Sequence, residues 1–406
     1  MAETTSVKQT RPRVSDRVRI LCVIGSMGAG GSERQMIGLL EHLDRTRFQP
    51  LLYTVYGEGE LLGEVPGDVP VVSFWASCRP PRWNWPGRIH RMQVRHLADT
   101  IRQQRIDLVH DRTFQATLIA GPAAERAGTP HVSTIVANPA DALKTAGRFV
   151  GAKKRLLRRA YRGAAKVVTV SGDLREKVIA YYRLPGEHVL ALRNWIDLAR
   201  IDRLAEEYSP PFAAHRFHVV VASRLVPLKG QRILLEAVRE VAVRRGQTSL
   251  LVHLVGSGPD EPVLREYVEE QGLGEYVCFE GFQLNPYPFM RAAQLFCLPS
   301  LFEGMPNALL EAMACRVPVL AADCPTGPRE ALDGGRLGRL VPPGNWAALA
   351  DAMEDAILSH ERRLDHVEDA RRHVETLYGP GSSLPVLESV FLDAAGRNGG
   401  TARHGW

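Results

Sequence analysis

The chain has 406 residues, 45% apolar and 24% charged, with 51 Lys and Arg against 45 Asp and Glu and a formal net charge of +6. That length suits two or three domains, and the balance excludes a collagen-like fibre, wholesale disorder and a multi-span membrane protein. The small positive excess is concentrated: nine basic residues and no acid lie between Lys144 and Lys166, which leaves the remainder slightly acidic.

In chain order, residues 1–17 are polar, show no apolar signal-peptide run and read as a flexible segment. Residues 19–24 then read as a buried strand, Gly25 to Gly31 as a Gly-rich turn, and about 32–43 as a helix with Met36, Ile37, Leu39, Leu40 and Leu43 at helical spacing. Further strands are expected at 50–56, 69–74, 108–110, 131–136 and 166–171, with helical patterns between most of them. An irregular segment at 194–216, containing Ser209-Pro210-Pro211, marks a junction. Beyond it the alternation restarts, with strands at 217–222, 249–255, 277–280, 295–299 and 317–321 and helices at 231–244 and 261–271. This pattern predicts an α/β protein of two doubly wound, mostly parallel sheets facing across a cleft: 18–193, a junction at 194–216, 217–394, and a flexible tail at 395–406. Cys22, Cys78, Cys278, Cys297, Cys315 and Cys324 show no close-paired metal spacing and suit a reduced cytosolic setting.

Three loops after strands carry candidate chemistry. Gly25 to Gly31 could bring backbone amides to a phosphate at a helix start, yet Glu33 stands where a dinucleotide fingerprint starting at Gly28 needs glycine; alone, the turn is equally a tight connection. In Ser223-Arg-Leu-Val-Pro-Leu-Lys-Gly230, Arg224 and Lys229 flank a turn into a helix, a site for a diphosphate or two solvated charges. In Ser300-Leu-Phe-Glu-Gly-Met-Pro-Asn-Ala-Leu-Leu-Glu311, Glu303 and Gly304 fall in the loop and Pro306 suits a helix start. There Glu303 could accept from sugar hydroxyls and Glu311 from a ribose diol, or the pair could be a cap and a helix-face acid.

Taken together, the three loops resemble the retaining glycosyltransferases of family 4, whose two Rossmann-like domains form the GT-B arrangement. The family's acid pair is matched by Glu303 and Glu311, its basic pair by Arg224 and Lys229, and its Gly-x-Gly-Pro turn by Gly256-Ser-Gly258-Pro259. Gly281-Phe282, Pro325-Thr-Gly-Pro-Arg-Glu330 and Pro342-Pro-Gly-Asn345 follow in the family's order. Gly30-Gly31-Ser-Glu-Arg34, Val168-Thr-Val-Ser171 and Asn194-Trp-Ile-Asp197 look like first-domain and junction elements.

The resemblance implies that Arg224, Lys229 and Glu303 serve catalysis, with the two cations on a departing nucleotide diphosphate. Glu311, Gly304, Gly256, Gly258 and Phe282 would hold the nucleotide, and Gly30, Gly31, His110 and Asn138 would face the phosphate or the acceptor. It implies a nucleotide-sugar co-substrate, UDP-sugar ahead of GDP-sugar, with no metal or other cofactor; no Asp-x-Asp pair occurs in the chain. Many relatives carry a His after the middle strands; Ser133-Thr-Ile-Val-Ala-Asn138 has none, and Trp195 stands where relatives often have Gly. The implied acceptor is a glycan or lipid-linked saccharide, in cell-surface polysaccharide or glycolipid synthesis. An NAD(P)-dependent oxidoreductase and a non-catalytic glycan binder are the competing readings.

On a helical wheel Lys154, Arg155, Arg158, Arg159, Arg162 and Lys166 share one face, opposite Leu156, Leu157, Ala160, Tyr161 and Ala164. With Trp83 and Trp85 in the basic stretch between Arg79 and Arg88, this face suits an anionic membrane surface, each basic residue contributing about 1 kcal/mol. The expectation is a cytoplasmic protein, peripheral at the inner face of the membrane, with no nucleic-acid partner.

Overall fold

The structure is a computed structural model that describes residues 17–28, 30–83, 85–144, 147–359 and 366–397. The expected flexible segment up to residue 16 and the tail from 398 lie outside the described residues, as do Ala29 of the Gly-rich turn, Asn84, and residues 145 and 146 of the basic stretch.

The first sheet has seven strands: β1 (Val18–Ile24), β2 (Phe48–Thr54), β3 (Val71–Ser73), β4 (Leu108–Arg112), β5 (His131–Ile135), β6 (Lys166–Thr169) and β7 (Val189–Ala191). Their order is β3-β2-β1-β4-β5-β6-β7, all parallel. The second has six: β8 (Phe217–Ala222), β9 (Leu250–Val255), β10 (Val277–Gly281), β11 (Leu295–Leu298), β12 (Val319–Ala322) and β13 (Arg339–Val341). They run β10-β9-β8-β11-β12-β13, again all parallel. Central strands such as Val18–Ile24 are apolar at every position but one, Arg19, because helices cover both sheet faces.

Strand order reverses between β1 and β4 in one sheet and between β8 and β11 in the other. Loops leaving these four strands diverge to opposite faces, opening a crevice at their carboxyl ends. The crevices of the two sheets face each other, so loops 25–30, 223–230 and 299–306 meet in one cleft.

Four features differ from the sequence expectation. Edge strands β7 and β13 have three residues each, too short to register as apolar runs. Within the junction, Leu198–Ala205 is helical, started by Asp197, whose side chain accepts from the Arg200 N–H at 2.9 Å. The final helix, Pro380–Ala394, packs on the first sheet: Phe391 lies 6.2 Å from the Phe48 ring and 5.0 Å from the His110 ring. This return is anchored where the Ile196 N–H donates to Tyr378 O at 2.6 Å, and it buries Leu384, Leu387, Phe391 and Leu392 against the first domain. Finally, Lys166 lies on β6 and Leu156 is 38% exposed, so the apolar side of the basic helix (Val150–Gly163) is carried by Leu157, Ala160 and Tyr161.

Candidate active site in the interdomain cleft

A cavity of about 460 Å³ lies between the two sheets. Ten of the twelve residues singled out from sequence line it: Arg224, Lys229, Glu303, Gly304, Glu311, Gly256, Gly258, Phe282, Gly30 and Gly31.

On the second-domain wall the loop after β8 bears Arg224 and Lys229. Its turn is set by Gln231, whose Nε2 donates to Arg224 O and to Ser223 Oγ, both at 2.9 Å. Lys229 Nζ donates to Glu303 Oε1 at 2.6 Å, and Ser300 Oγ donates to the same oxygen at 2.7 Å. Gly256 has a φ of +142°, and a Cβ there would stand 2.0 Å from Ser223 O, so only glycine lets the loops after β8 and β9 nest. Gly304 approaches the first domain as closely: a Cβ would meet Val136 O at 1.8 Å.

Glu311 lies on the Asn307–Ala314 helix and is 8% exposed. Burial pushes its carboxyl above the usual carboxylate range, against the attraction of Arg34 and a hydrogen bond from Tyr287. A buried acid facing a cavity that also holds cations is poised to accept from a polar ligand rather than to serve the core.

The first-domain wall contributes the start of the Gly31–His42 helix with Gly30 and Gly31 at its end. A Cβ on Gly30 would stand against the Glu33 carboxylate, which is folded back over the helix start. Burial raises the Glu33 carboxyl, and Arg224 and Arg112 oppose the rise.

His110 and Asn138 do not reach this cavity. His110 is 1% exposed beneath Phe391, hydrogen-bonded through Nδ1 to Val132 O at 3.2 Å, and burial pushes it down to about 4, so the ring is neutral. Asn138 Oδ1 accepts from the Ala140 N–H at 3.1 Å and caps the short helix Pro139–Lys144. His131 pairs with buried Asp111, which also accepts from Thr117 Oγ1 at 2.6 Å and Ser133 Oγ at 2.8 Å, a network that joins β4 to β5.

What sequence reasoning missed is a polar chain along the cleft floor. Arg112 Nη2 donates to Asn194 Oδ1 at 2.6 Å, Asn194 Nδ2 to Asn307 Oδ1 at 2.7 Å, and Asn307 Nδ2 to Gly31 O at 3.0 Å. The chain runs from the first domain through the junction to the second and back. Arg112 is 7% exposed, its Nε has no partner, and burial pushes the guanidinium down to about 10. Thr113 beside it holds a φ of +85°, strain worth about 1–3 kcal/mol in a non-glycine residue. The available signal was position: β4 runs two residues past His110, which puts Arg112 at the carboxyl end where ligands bind.

The cleft thus offers fixed cations (Arg224, Lys229, Arg112), a helix start and buried carboxylates, the chemistry that receives a phosphorylated, polyhydroxylated ligand. Among the described residues no helix is long and apolar enough to cross a membrane.

A family model described as Glycosyltransferase Family 4 matches residues 29–200, and one described as Glycosyl transferases group 1 matches 216–359. The chain is 30% identical over 319 residues to 2-deoxystreptamine N-acetyl-D-glucosaminyltransferase of Streptomyces fradiae, covering 75% of each protein. It is 27% identical to an uncharacterised glycosyltransferase of Methanocaldococcus jannaschii, where the match spans only 42% of that protein and 41% of this chain. Among solved structures, Anabaena HepE in complex with UDP and glucose superposes with a TM-score of 0.76 at 22% identity, covering 92% of this chain and 99% of that one.

Proposed function

This chain belongs to glycosyltransferase family 4, and on that premise we propose that it transfers a sugar from a nucleotide-sugar donor to a hydroxyl of a glycan or lipid-linked saccharide, with retention of anomeric configuration. The observation that carries the reading is the joining of Arg224, Lys229, Glu303 and Glu311 at the mouth of two switch-point crevices. The similarity to a UDP-bound fold neighbour favours UDP as the leaving group over GDP.

In this reading the nucleotide lies along the second domain, its ribose diol on Glu311 and its base by Phe282. The diphosphate sits between Arg224 and Lys229 and faces the Gly30–Gly31 helix start. Departure of the diphosphate develops negative charge, and cations already fixed in the cleft stabilise it without reorganisation. Glu303, held by Lys229 and Ser300, accepts from donor-sugar hydroxyls. The acceptor hydroxyl attacks on the face from which the diphosphate leaves and passes its proton to a leaving phosphate oxygen. Arg112, missed from sequence, adds a cation toward that same region.

We further place the first domain against anionic lipid. Trp83 and Trp85 are 79% and 52% exposed and Arg155 is exposed in the same domain, although Arg159 already pairs with Glu125 and Lys154 lies over the Tyr181 ring. Co-sedimentation with anionic but not neutral vesicles is the expected result, and equal binding to both removes the electrostatic part. For the transfer itself, UDP should raise the melting temperature more than GDP or ADP. Stabilisation by a nicotinamide dinucleotide instead would favour the oxidoreductase reading, and a donor bound but never consumed would favour a glycan binder.

A further inference from the structure

None of four chemistry-bearing side chains on the second sheet lines the cleft, yet they converge near the junction. His218 on β8, His253 on β9 and Cys278 on β10 share one sheet face, since Val220 pairs with His253 and His253 with Cys278, and parallel partners project the same way. Between Phe279 and Gly281 the register slips and leaves Glu280 as an extra residue. Glu280, two residues after Cys278, keeps to the same face as His253, with Oε1 2.7 Å from Nδ1. A His253 ring nitrogen, the Cys278 sulfur and a Glu280 oxygen all lie within 4.8 Å of one another.

Hydrogen-bond bookkeeping at this cluster leaves a positive centre wanting. His218 Nε2 lies 2.9 Å from Ala213 O, a carbonyl that only accepts, so that nitrogen carries hydrogen. In neutral His218, Nδ1 is then bare and accepts from His253 Nε2 at 2.8 Å. Neutral His253 therefore presents an unprotonated Nδ1 to a carboxylate oxygen, two lone pairs facing each other. A proton would bridge those two atoms and leave the thiol beside them unused; a divalent ion engages all three once the carboxylate draws back from hydrogen-bond distance to the wider spacing of two ligands on one ion.

We propose that His253, Cys278 and Glu280 bind one divalent transition-metal ion of the zinc class through imidazole Nδ1, thiolate and carboxylate. Water takes the fourth position, and the thiol proton is released to solvent as the ion binds. His218 acts from behind, accepting the other N–H of the ligand histidine and passing the same demand to Ala213 O, as partners of metal-bound histidines do. The mixed sulfur, nitrogen and oxygen set selects zinc or cobalt over magnesium or calcium. The ion is structural. It ties β9 to β10 beneath the junction, where Phe212 stacks on His218 at 4.2 Å and on His253 at 4.3 Å. It also secures the start of the loop that carries Phe282 and Gln283 into the cleft, Gln283 Nε2 donating to Glu280 O at 2.8 Å.

The test is cobalt titration of the full-length protein after treatment with a chelator, under a phosphine reductant. One equivalent of Co2+ should bring a thiolate-to-metal charge-transfer band in the near ultraviolet, discharged by added Zn2+. Cys278→Ser should abolish the band, and Cys78→Ser, at the other half-buried cysteine, should leave it intact. His218→Phe, which keeps the stack on Phe212, should weaken Co2+ binding about 10- to 100-fold. Glu280→Gln, close in shape, should weaken it as well, and circular dichroism checks that each variant is folded. A folded wild type without the band, a Cys278→Ser protein that keeps it, or a His218→Phe protein that binds as tightly as the parent overturns the proposal.

Discussion

Glu311→Gln should separate ligand binding from stability. In the free protein the carboxylate is buried, and burial holds its acid form above the usual range. Across the window between the ordinary and the raised value the folded chain binds more protons than the unfolded one, so stability falls as pH rises through that window. Glutamine keeps the shape and removes this penalty, so the melting temperature of the free variant should equal or exceed the parent's at pH 7. With nucleotide bound, the balance reverses. One ribose hydroxyl loses a charged acceptor, about 1.5–3 kcal/mol, which is about 10- to 160-fold in Kd for UDP. Calorimetric titration of UDP, with thermal melts of the free chain between pH 4.5 and 8, reads both effects. A variant that melts several degrees lower while binding UDP as well as the parent would refute a ribose role and return Glu311 to the core.

Lys229→Met should lower kcat by about 10²- to 10³-fold, the scale of losing one preorganised charge partner. It should also lower the melting temperature by leaving Glu303, 8% exposed, unpaired; adding Glu303→Gln should restore stability but not turnover, and unchanged turnover in either variant contradicts the assignment. In Gly304→Ala the new methyl meets Val136 O, an overpacking cost of about 1–3 kcal/mol, so small-angle scattering with UDP should show a wider cleft; a profile identical to the parent's counts against the close approach. At His110, the folded ring titrates at about 4 against an ordinary 6.5, so the unfolded chain binds more protons between these values and stability is lost as pH falls across them. His110→Leu should flatten that loss in thermal melts and leave the kcat/KM pH profile untouched; a shifted profile would make the ring part of the chemistry.

How much of this fold could be read from the chain depended on how locally each element is encoded. Val18–Ile24 and Phe217–Ala222 announce themselves because parallel strands covered on both faces need near-continuous apolar runs, broken here only by Arg19 and His218. Val189–Ala191 and Arg339–Val341 pair with one neighbour only and carry too few residues for a run. The helix at Pro380–Ala394 shows an apolar side in sequence, but that pattern says only that a face is buried, not against which sheet. The cleft divides the same way. Arg224 with Lys229, and Glu303 with Glu311, sit in single loops after single strands, so short spacings expose them. Arg112, Asn194 and Asn307 meet only in three dimensions, and ending β4 two residues early put His110 where Arg112 belongs.

Charge in the cleft explains why a net +6 says so little about the ligand. Lys229 is held by Glu303, Arg34 is attracted to Glu311, and Arg112 and Arg224 both lie in the field of Glu33. Lys229 therefore has a carboxylate partner in the free protein, and the arginines share the field of nearby acids, which lowers the cost of burying their charge. On the proposed reading a diphosphate would compete with these acids for the cations and not fill a bare positive hole, so its binding would leave little trace in composition. The surplus that composition does reveal lies between Lys144 and Lys166, six of its nine residues on the helix Val150–Gly163, whose buried side chains are Leu157, Ala160 and Tyr161. Net charge in this chain reports on the outer surface of the first domain, and the paired charges of the cleft report on the reaction.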